Sequence, residues 1–238
     1  MEFYVMFPLR MFSYEHEGFI DKKETDALLV FFILGKLSNF HDRTKTFCNI
    51  EMLDGMLNLD PNSKKRSRKR VIDALEVLEL KGYIRMKYEG ELSKAPIIEI
   101  ETIQEHETTV SGGSTYSGYV KVFEDVFEHA DGDGKLFKIL IYTLWRQNID
   151  YSISYKEWSK VLGVTEVTAK SQIKRYKEQG KIIVESGSRY RDEQGQVRQE
   201  MNSYSVPFFM DSSPIYEEQR TEEKEVTERK YKFLHKYV

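Results

Sequence analysis

The sequence has little cysteine and no apolar run of membrane-spanning length. Its one cysteine, Cys48, excludes a framework of internal disulfides and is compatible with a reducing cytosol. The most apolar run, Ala27–Leu34, is far shorter than the roughly 20 residues that cross a bilayer. We therefore expect a cytoplasmic protein without a membrane partner, and we interpret Cys48 as a buried apolar residue.

The sequence also lacks the residue spacings of metal sites and active sites. Its five histidines stand singly, and no GxxxxGK[ST] loop is present to hold a nucleotide phosphate. The segment from Asp131 begins like a calcium loop, but Lys135 and Tyr142 occupy its fifth and twelfth positions, which need oxygen ligands. We interpret this segment as a turn before a helix. We expect no enzyme activity, no cofactor and no metal.

A repeated order of elements is present instead, weak in residue identity but consistent in pattern. The first copy is predicted as three helices and two strands: Glu24–Leu37, Ile50–Leu57, about Pro61 to Lys81, Tyr83–Tyr88 and Ile97–Thr102. Its third helix is predicted to stop at Gly82, because glycine forms a left-handed C-cap most easily.

The second copy repeats this order. It is predicted as Leu136–Gln147, Tyr155–Leu162, a third helix from Thr165 to Gly180, and strands Lys181–Glu185 and Met201–Val206 around a long polar turn. Thr165 is suited to N-cap the third helix. Three helices, a strand, a loop and a strand are the order of a winged helix-turn-helix. The predicted fold class is therefore α+β, mainly α, with two tandem winged helix-turn-helix domains.

Composition predicts the domain limits. We expect the first domain over residues 1–105, a flexible linker rich in Ser, Thr and Gly over 106–117, the second domain over 118–208, and a charged, helical tail over 209–238. Apolar residues of the tail offer a surface for self-association or a partner, the alternative being a solvated helix: Val226, Phe233, Leu234 and Tyr237.

The net charge of −3 gives no indication of nucleic acid, but its distribution does. Six cations begin the first copy's third helix, the part that a helix-turn-helix inserts into the major groove: Lys64, Lys65, Arg66, Arg68, Lys69 and Arg70. Val71, Leu75 and Leu78 mark the core side of this helix. Lys64, Ser67 and Arg68 extend that core stripe, so we expect the first turn to project beyond the body or to be non-helical.

The third helix of the second copy carries a more varied polar face. Ala169, Ile173 and Tyr176 mark its buried side. The residues expected to point outward are Thr168, Ser171, Gln172, Lys174 and Arg175. Short hydroxyls, an amide and a guanidinium suit the reading of base edges, whereas the nearly uniform cations of the first copy suit phosphate contacts.

The two predicted wings differ in charge. The second carries Arg189, Arg191 and Arg198 with Gly187 and Gly195, which predicts a flexible cationic loop suited to phosphate or a minor groove. The first carries Glu89 and Glu91 against Lys94, so it is predicted to be a poor DNA contact.

Two stretches, FYVMFPLRMF and LEVLELKGYI, carry a family resemblance. Residues 3–103 resemble the N-terminal winged-helix domain of plasmid replication initiators from low-GC Gram-positive bacteria and of DnaD-like replisome organisers. The resemblance implies binding to repeated origin sites, host replication proteins as partners, and DNA contacts by Arg66, Lys69 and Arg70. The chain departs from the organisers because a short charged tail replaces a further helical domain.

The sequence thus predicts sequence-specific binding of double-stranded DNA by a plasmid or phage replication initiator or replisome organiser. Both third helices are expected to enter successive major grooves, joined by a tether that adjusts their spacing. A transcriptional regulator with the same DNA contacts is the first alternative. A scaffold whose winged helices dock protein partners is the second.

Overall fold

A computed structural model describes residues 3–38, 44–103, 109–111, 114–116, 118–149, 151–191, 194 and 196–207. Across these ranges the protein is α+β, with seven α-helices and small antiparallel sheets. The helices are α1 (Asp26–Leu37), α2 (Ile50–Leu57), α3 (Lys64–Leu80), α4 (Glu124–Ala130), α5 (Gly134–Gln147), α6 (Tyr155–Leu162) and α7 (Glu166–Glu178). The strands are β1 (Tyr4–Pro8), β2 (Lys45–Cys48), β3 (Ile84–Lys87), β4 (Ile98–Thr102), β5 (Thr109–Ser111), β6 (Ser114–Tyr116), β7 (Tyr119–Phe123), β8 (Ile183–Glu185), β9 (Arg189–Arg191), β10 (Val197–Gln199) and β11 (Ser203–Ser205).

The first copy contains the three helices and two strands that the sequence predicts, in the order α1, β2, α2, α3, β3, β4. Strand β2 is an addition, and it completes a three-stranded sheet of order β2-β4-β3. The predicted limits of α2 are confirmed, whereas α3 begins at Lys64 rather than at Pro61. The shift arises because Asp60 accepts hydrogen bonds from the backbone amides of Asn62 and Ser63, which closes a turn ahead of the helix.

The second copy contains α5, α6, α7, β8 and β11, as predicted, and β8 pairs with β11. Ile153 forms an isolated bridge with Asn202, in the place that β2 takes in the first copy. The predicted long turn between the strands is wrong in part, because β9 and β10 pair within it as a hairpin. Backbone pairing forms this hairpin without the apolar alternation by which a strand is recognised in sequence.

Both third helices begin with a hydroxyl N-cap and end before a glycine of positive φ. The Ser63 hydroxyl accepts a hydrogen bond from the amide of Arg66 at 3.3 Å, and the Thr165 hydroxyl accepts one from the amide of Thr168 at 3.2 Å. Past the other ends, Gly82 and Gly180 take positive φ angles of 71° and 68°. The predicted cap at Thr165 and both glycine stops are confirmed.

Contacts divide the chain into two compact units whose limits differ from the domains expected from the sequence. The larger unit comprises Met1–Tyr142 and Tyr155–Ser171, and the smaller comprises Thr143–Ser154 and Gln172–Val238. Helix α7 therefore starts in the larger unit and continues into the smaller one. Strands β5 and β6 pair inside the segment expected to be a flexible linker. The predicted tail over 209–238 lies outside the described residues.

An aromatic cluster joins elements of both copies within the larger unit. The ring of Phe137, on α5, lies 5.8 Å from that of Phe7 on β1 and 6.0 Å from that of Phe32 on α1. Phe127, on α4, stacks on Phe32 at 4.5 Å. Beside this cluster β1 pairs antiparallel with β7, with Met6 opposite Lys121. The sequence predicts neither strand, because the partners are distant along the chain.

A buried lysine also joins the two copies. Lys138, on α5, donates hydrogen bonds to the backbone carbonyl of Ile20 and, at 2.6 Å, to that of Val161. Its Nζ lies 4.0 Å from the centre of the Phe19 ring. Burial lowers the pKa of Lys138 from 10.5 to about 7. A neutral amine has two N–H groups, which matches the two carbonyls that accept from it.

The substitution Lys138→Met should change how stability depends on pH. Because the folded pKa lies below the unfolded one, the unfolded chain binds more protons between about pH 7 and 10.5, and wild-type stability rises with pH across that window. The variant lacks this contribution. When unfolding in urea is measured at pH 7, 8 and 9, the free energy of unfolding of the wild type minus that of the variant should therefore increase by up to about 1.4 kcal/mol per pH unit. Parallel pH profiles would show that Lys138 stays charged.

Candidate nucleic-acid interface

The first turn of α3 is helical and packed. Ser67 is only 1% exposed, so the expectation that this turn projects beyond the body or is non-helical is wrong. Because α2 packs against α3, the small side chain of Ser67 fits at the core-facing position. The residues predicted to form the core side of α3, Val71, Leu75 and Leu78, are fully buried, as predicted.

Two of the six cations on α3 bind carboxylates of α2. Arg68 lies 2.6 Å from Glu51 and 3.6 Å from the buried Asp54, and Lys64 lies 3.4 Å from Glu51. These ion pairs connect the second and third helices of the first copy. They also reduce the positive charge that Lys64 and Arg68 present to a ligand, so these two cations contribute less than the sequence suggests.

Arg70 has a structural role that the sequence prediction missed. Its guanidinium makes two hydrogen bonds of 2.7 Å to the carboxylate of Asp26 and a third to the carbonyl of Leu59. The hydrogen bond to Asp26 raises the pKa of Arg70. Because Nε, Nη1 and Nη2 are all engaged, we remove Arg70 from the expected DNA contacts. Asp26 begins α1, and no local sequence signal connects it to α3.

Matched substitutions of Arg70 and Lys69 separate the structural cation from an exposed one. Arg70→Gln should lower the free energy of unfolding by about 1–2 kcal/mol, since charged hydrogen bonds of this kind contribute about that much after allowance for partial exposure. Lys69→Gln should leave stability within about 0.5 kcal/mol of wild type. Urea unfolding of both variants measures the difference. Equal losses would contradict the assigned role of Arg70.

Besides Lys64, which pairs with Glu51, three cations of α3 are exposed, and we call them the α3 cation face: Lys65, Arg66 and Lys69. Their spacing of three and four residues places them on one side of the helix. The side chain of Arg66 is 78% exposed, with only a loose approach of 3.9 Å to Asp60. Among the described residues, neither Lys65 nor Lys69 has a hydrogen bond or ion pair. This face therefore presents positive charge that nearby carboxylates neutralise only weakly.

Helix α7 presents the mixed polar face that the sequence predicts. Its buried side is Ala169, Ile173 and Tyr176, as predicted. Next to the buried side, a single stripe at spacings of three and four residues contains Thr168, Ser171, Gln172 and Arg175.

The polar residues of α7 differ in how firmly they are held. Arg175 is exposed, and its guanidinium lies 4.5 Å from the centre of the Tyr176 ring. Lys174 lies 3.6 Å from Glu178 one turn later. Gln172 is half-buried, and the Thr168 hydroxyl lies 2.9 Å from that of Thr165. The guanidinium of Arg175 is therefore positioned by an aromatic ring yet open on the solvent side.

The β9–β10 hairpin carries the predicted wing arginines. Arg189 and Arg191 are exposed and alternate along β9, which places them on one face, and Arg198 lies opposite Tyr190 in the register. At the base of the hairpin, a Cβ on Gly187 would lie 2.4 Å from the carbonyl oxygen of Glu200. Gly187 therefore permits a close approach of two backbones, while Gly195 lies outside the described residues.

The first wing has its charges paired. Arg85 and Lys87 on β3 lie opposite Glu101 and Glu99 on β4, at 3.9 Å and 3.6 Å. In the connection between these strands, Lys94 lies 2.7 Å from Glu91, and this contact lowers the pKa of the Glu91 carboxyl. A wing neutralised in this way offers little attraction to phosphate.

The calcium-like loop, the single cysteine and the possible metal ligands of the sequence can now be compared with the structure. The Asp133 carboxylate accepts hydrogen bonds from the amides of Lys135 and Leu136 at 2.9 and 3.1 Å, so the turn predicted before a helix is confirmed. Cys48 is buried as predicted, and burial raises its pKa to about 11. Over the described ranges, no His, Cys, Asp or Glu side chains group in a way that could hold a metal ion.

The sequence matches no protein-family model, and neither the curated proteins nor the solved structures gave a match. The resemblance to replication initiators therefore stays a prediction. In the part of the chain that the structure describes, no helix has both the length and the apolar character needed to cross a membrane.

Proposed function

We propose that the protein binds double-stranded DNA, without chemistry, through two tandem winged-helix domains. The observation that carries the proposal is the α3 cation face, three exposed cations at the start of a third helix. A helix in that position enters the major groove in helix-turn-helix proteins. Backbone order supports the fold assignment, since each copy has three helices followed by a paired strand hairpin.

The two third helices are assigned different contacts with DNA. Lys65, Arg66 and Lys69 offer charge without varied hydrogen-bonding groups, which suits phosphate contacts that position the protein. The stripe on α7 combines Gln172 and Arg175 with hydroxyls, and such groups pair with adenine and guanine edges. Arg189 and Arg191 add charge from the hairpin of the second copy. Base discrimination is thus assigned mainly to α7.

The biological role that we propose is initiation or organisation of replication on a plasmid, phage or similar element. This role rests on the resemblance of residues 3–103 to the initiators. A transcriptional regulator would use the same DNA contacts. Footprinting separates the two roles: several clustered direct repeats within an origin indicate initiation, and one operator overlapping a promoter indicates regulation.

Selection of bound duplexes from a random pool tests the proposal directly. We expect enrichment of a defined sequence, and an affinity that falls with salt at a log–log slope of about −0.9 for each phosphate neutralised. Failure to enrich any sequence, together with a salt slope near zero, would favour a protein-binding scaffold instead.

Exchanging Gln172 and Arg175 with each other tests whether α7 discriminates between bases. Binding of the exchanged variant is measured on the selected duplex. If α7 reads bases, the variant Gln172→Arg with Arg175→Gln should change the preferred base at one or two positions, at about 1–3 kcal/mol per position. The salt slope should stay nearly constant, because net charge is unchanged. An unaltered base preference would show that α7 does not discriminate.

A further inference from the structure

One segment of the chain, Arg10–Glu24, which we call the bridge segment, contacts the end of α3. The guanidinium of Arg10 donates a hydrogen bond of 2.9 Å to the carbonyl of Gly82, the residue that stops α3. It also lies 4.5 Å from the centre of the Tyr83 ring. The Tyr83 hydroxyl donates a hydrogen bond of 2.5 Å to the carbonyl of Gly18. These contacts hold the chain just beyond α3.

The C-cap residue of α3 makes two further contacts with the bridge segment. The ammonium of Lys81 donates a 2.5 Å hydrogen bond to the carbonyl of Phe19 and lies 3.0 Å from the carboxylate of Glu24. Side-chain exposure is 15% for Lys81 and 23% for Glu24, so solvent screens this ion pair only in part. The end of α3 is therefore attached to the bridge segment at several points.

The same segment contacts the turn that leads into α7. Lys22 donates a hydrogen bond of 2.8 Å to the carbonyl of Gly163, and Lys138 donates one to the carbonyl of Val161. Val161 lies in the last turn of α6, where helix carbonyls lack partners within the helix, and Gly163 directly follows that turn. Gly163 takes a φ of +61°, which a glycine adopts without strain.

Two more contacts complete this attachment. Lys138 bonds the carbonyl of Ile20 as well as that of Val161, so one buried amine joins the bridge segment to α6. The ammonium of Lys160 lies 4.8 Å from the centre of the Tyr14 ring. The start of α7 is thus held through the last turn of α6.

The bridge segment is itself packed. Met11, Phe12 and Ile20 are fully buried, and the amide of Ile20 donates a 3.0 Å hydrogen bond to the carbonyl of Met11. The amide of Gly18 donates to Nδ1 of His16 at 2.8 Å. A segment with these internal hydrogen bonds and buried side chains holds its two ends at a fixed separation, unlike a flexible tether.

We infer that the bridge segment fixes the spacing between the end of α3 and the start of α7, so that the protein recognises two DNA subsites at one separation only. This inference rests on the proposed function, and it replaces the adjustable tether expected from the sequence. Both attached ends lie within the larger unit, as do the α3 cation face and the first two residues of the α7 stripe, Thr168 and Ser171, so the separation concerned is one between residues of a single unit. Two added base pairs between the subsites shift one subsite by about 7 Å and rotate it by about 70°, beyond the reach of fixed side chains.

The test uses the full-length protein, the duplex selected from the random pool, and the same duplex with two base pairs inserted between the footprinted subsites. We expect the insertion to lower wild-type affinity about 100-fold, to that of a duplex with one subsite, because the gain from joint binding is lost. Equal affinity for both duplexes would overturn the inference and leave the proposed function standing. Absence of binding to either duplex would remove the proposed function itself.

Two variants test whether the bridge segment is responsible. Lys22→Ala, an exposed substitution, and the double variant Lys22→Ala with Lys138→Met should each reduce the penalty of insertion, the double variant by about tenfold. The matched control is Lys36→Ala, which removes an exposed lysine that pairs with Glu124 away from the bridge segment. An unchanged penalty in a folded Lys22→Ala protein, or an equal reduction in the control, would overturn the inference.

Discussion

Reversal of the α3 cation face to glutamate is expected to lower DNA affinity by at least about 100-fold near 0.1 M salt. Lys65, Arg66 and Lys69 are exposed and free of strong internal partners, so each is available to neutralise a phosphate. Loss of three such contacts should flatten the log–log salt slope by about 2.7. Fluorescence anisotropy titrations on the selected duplex at several salt concentrations measure both quantities.

A matched triple reversal controls for net charge. Arg85, Lys87 and Lys94 lie in the first wing, and each pairs with a glutamate there. Their reversal to glutamate changes net charge by the same amount but should lower affinity much less, because the wing is already neutralised. If both triple variants lose affinity equally, diffuse charge rather than the α3 face attracts DNA. Circular dichroism and the unfolding midpoint establish that each variant is folded.

Truncation of Phe137 to alanine is expected to destabilise both copies together, by about 3–5 kcal/mol. The ring is fully buried, and it contacts Phe7, Phe32 and Phe127. Because Phe32 belongs to α1, the cavity would weaken the first copy although Phe137 belongs to the second. Urea unfolding followed by circular dichroism measures the loss, and amide hydrogen exchange locates it.

The exchange pattern decides whether the copies share one core. Amides of α1 and α3 should lose protection along with those of α5, since the same unfolding exposes them. Protection that falls in α5 alone would show that the first copy has a core of its own. Phe47→Ala is the matched control, because Phe47 is 56% exposed on β2 and its truncation should cost little.

Local signals predicted most of the secondary structure. The limits of α2 and α6 were predicted exactly from apolar spacing, and Thr165, Gly82 and Gly180 marked where third helices begin or end. Caps and stops depend on hydrogen bonds between residues at most five positions apart. Such interactions are present in any short stretch of sequence, which makes them readable without the fold.

The candidate interface was only partly predictable. The buried stripe of α3 was sufficient to place Lys65, Arg66, Lys69 and Arg70 away from the core side of the helix. It was not sufficient to exclude Arg70, whose carboxylate partner Asp26 is separated from it by 44 positions. An arginine in a basic run has the same local sequence whether it binds phosphate or a distant carboxylate.

The sequence by itself determined the order of three helices and two strands in each copy and the outward faces of the two third helices, because both follow from spacings of a few residues. Only the tertiary structure decided that β1 pairs with β7, that Phe137 enters a core with Phe7, and that the bridge segment contacts the end of α3 and the last turn of α6. Those contacts join residues remote along the chain, and their energies depend on packing that forms only when the whole unit folds.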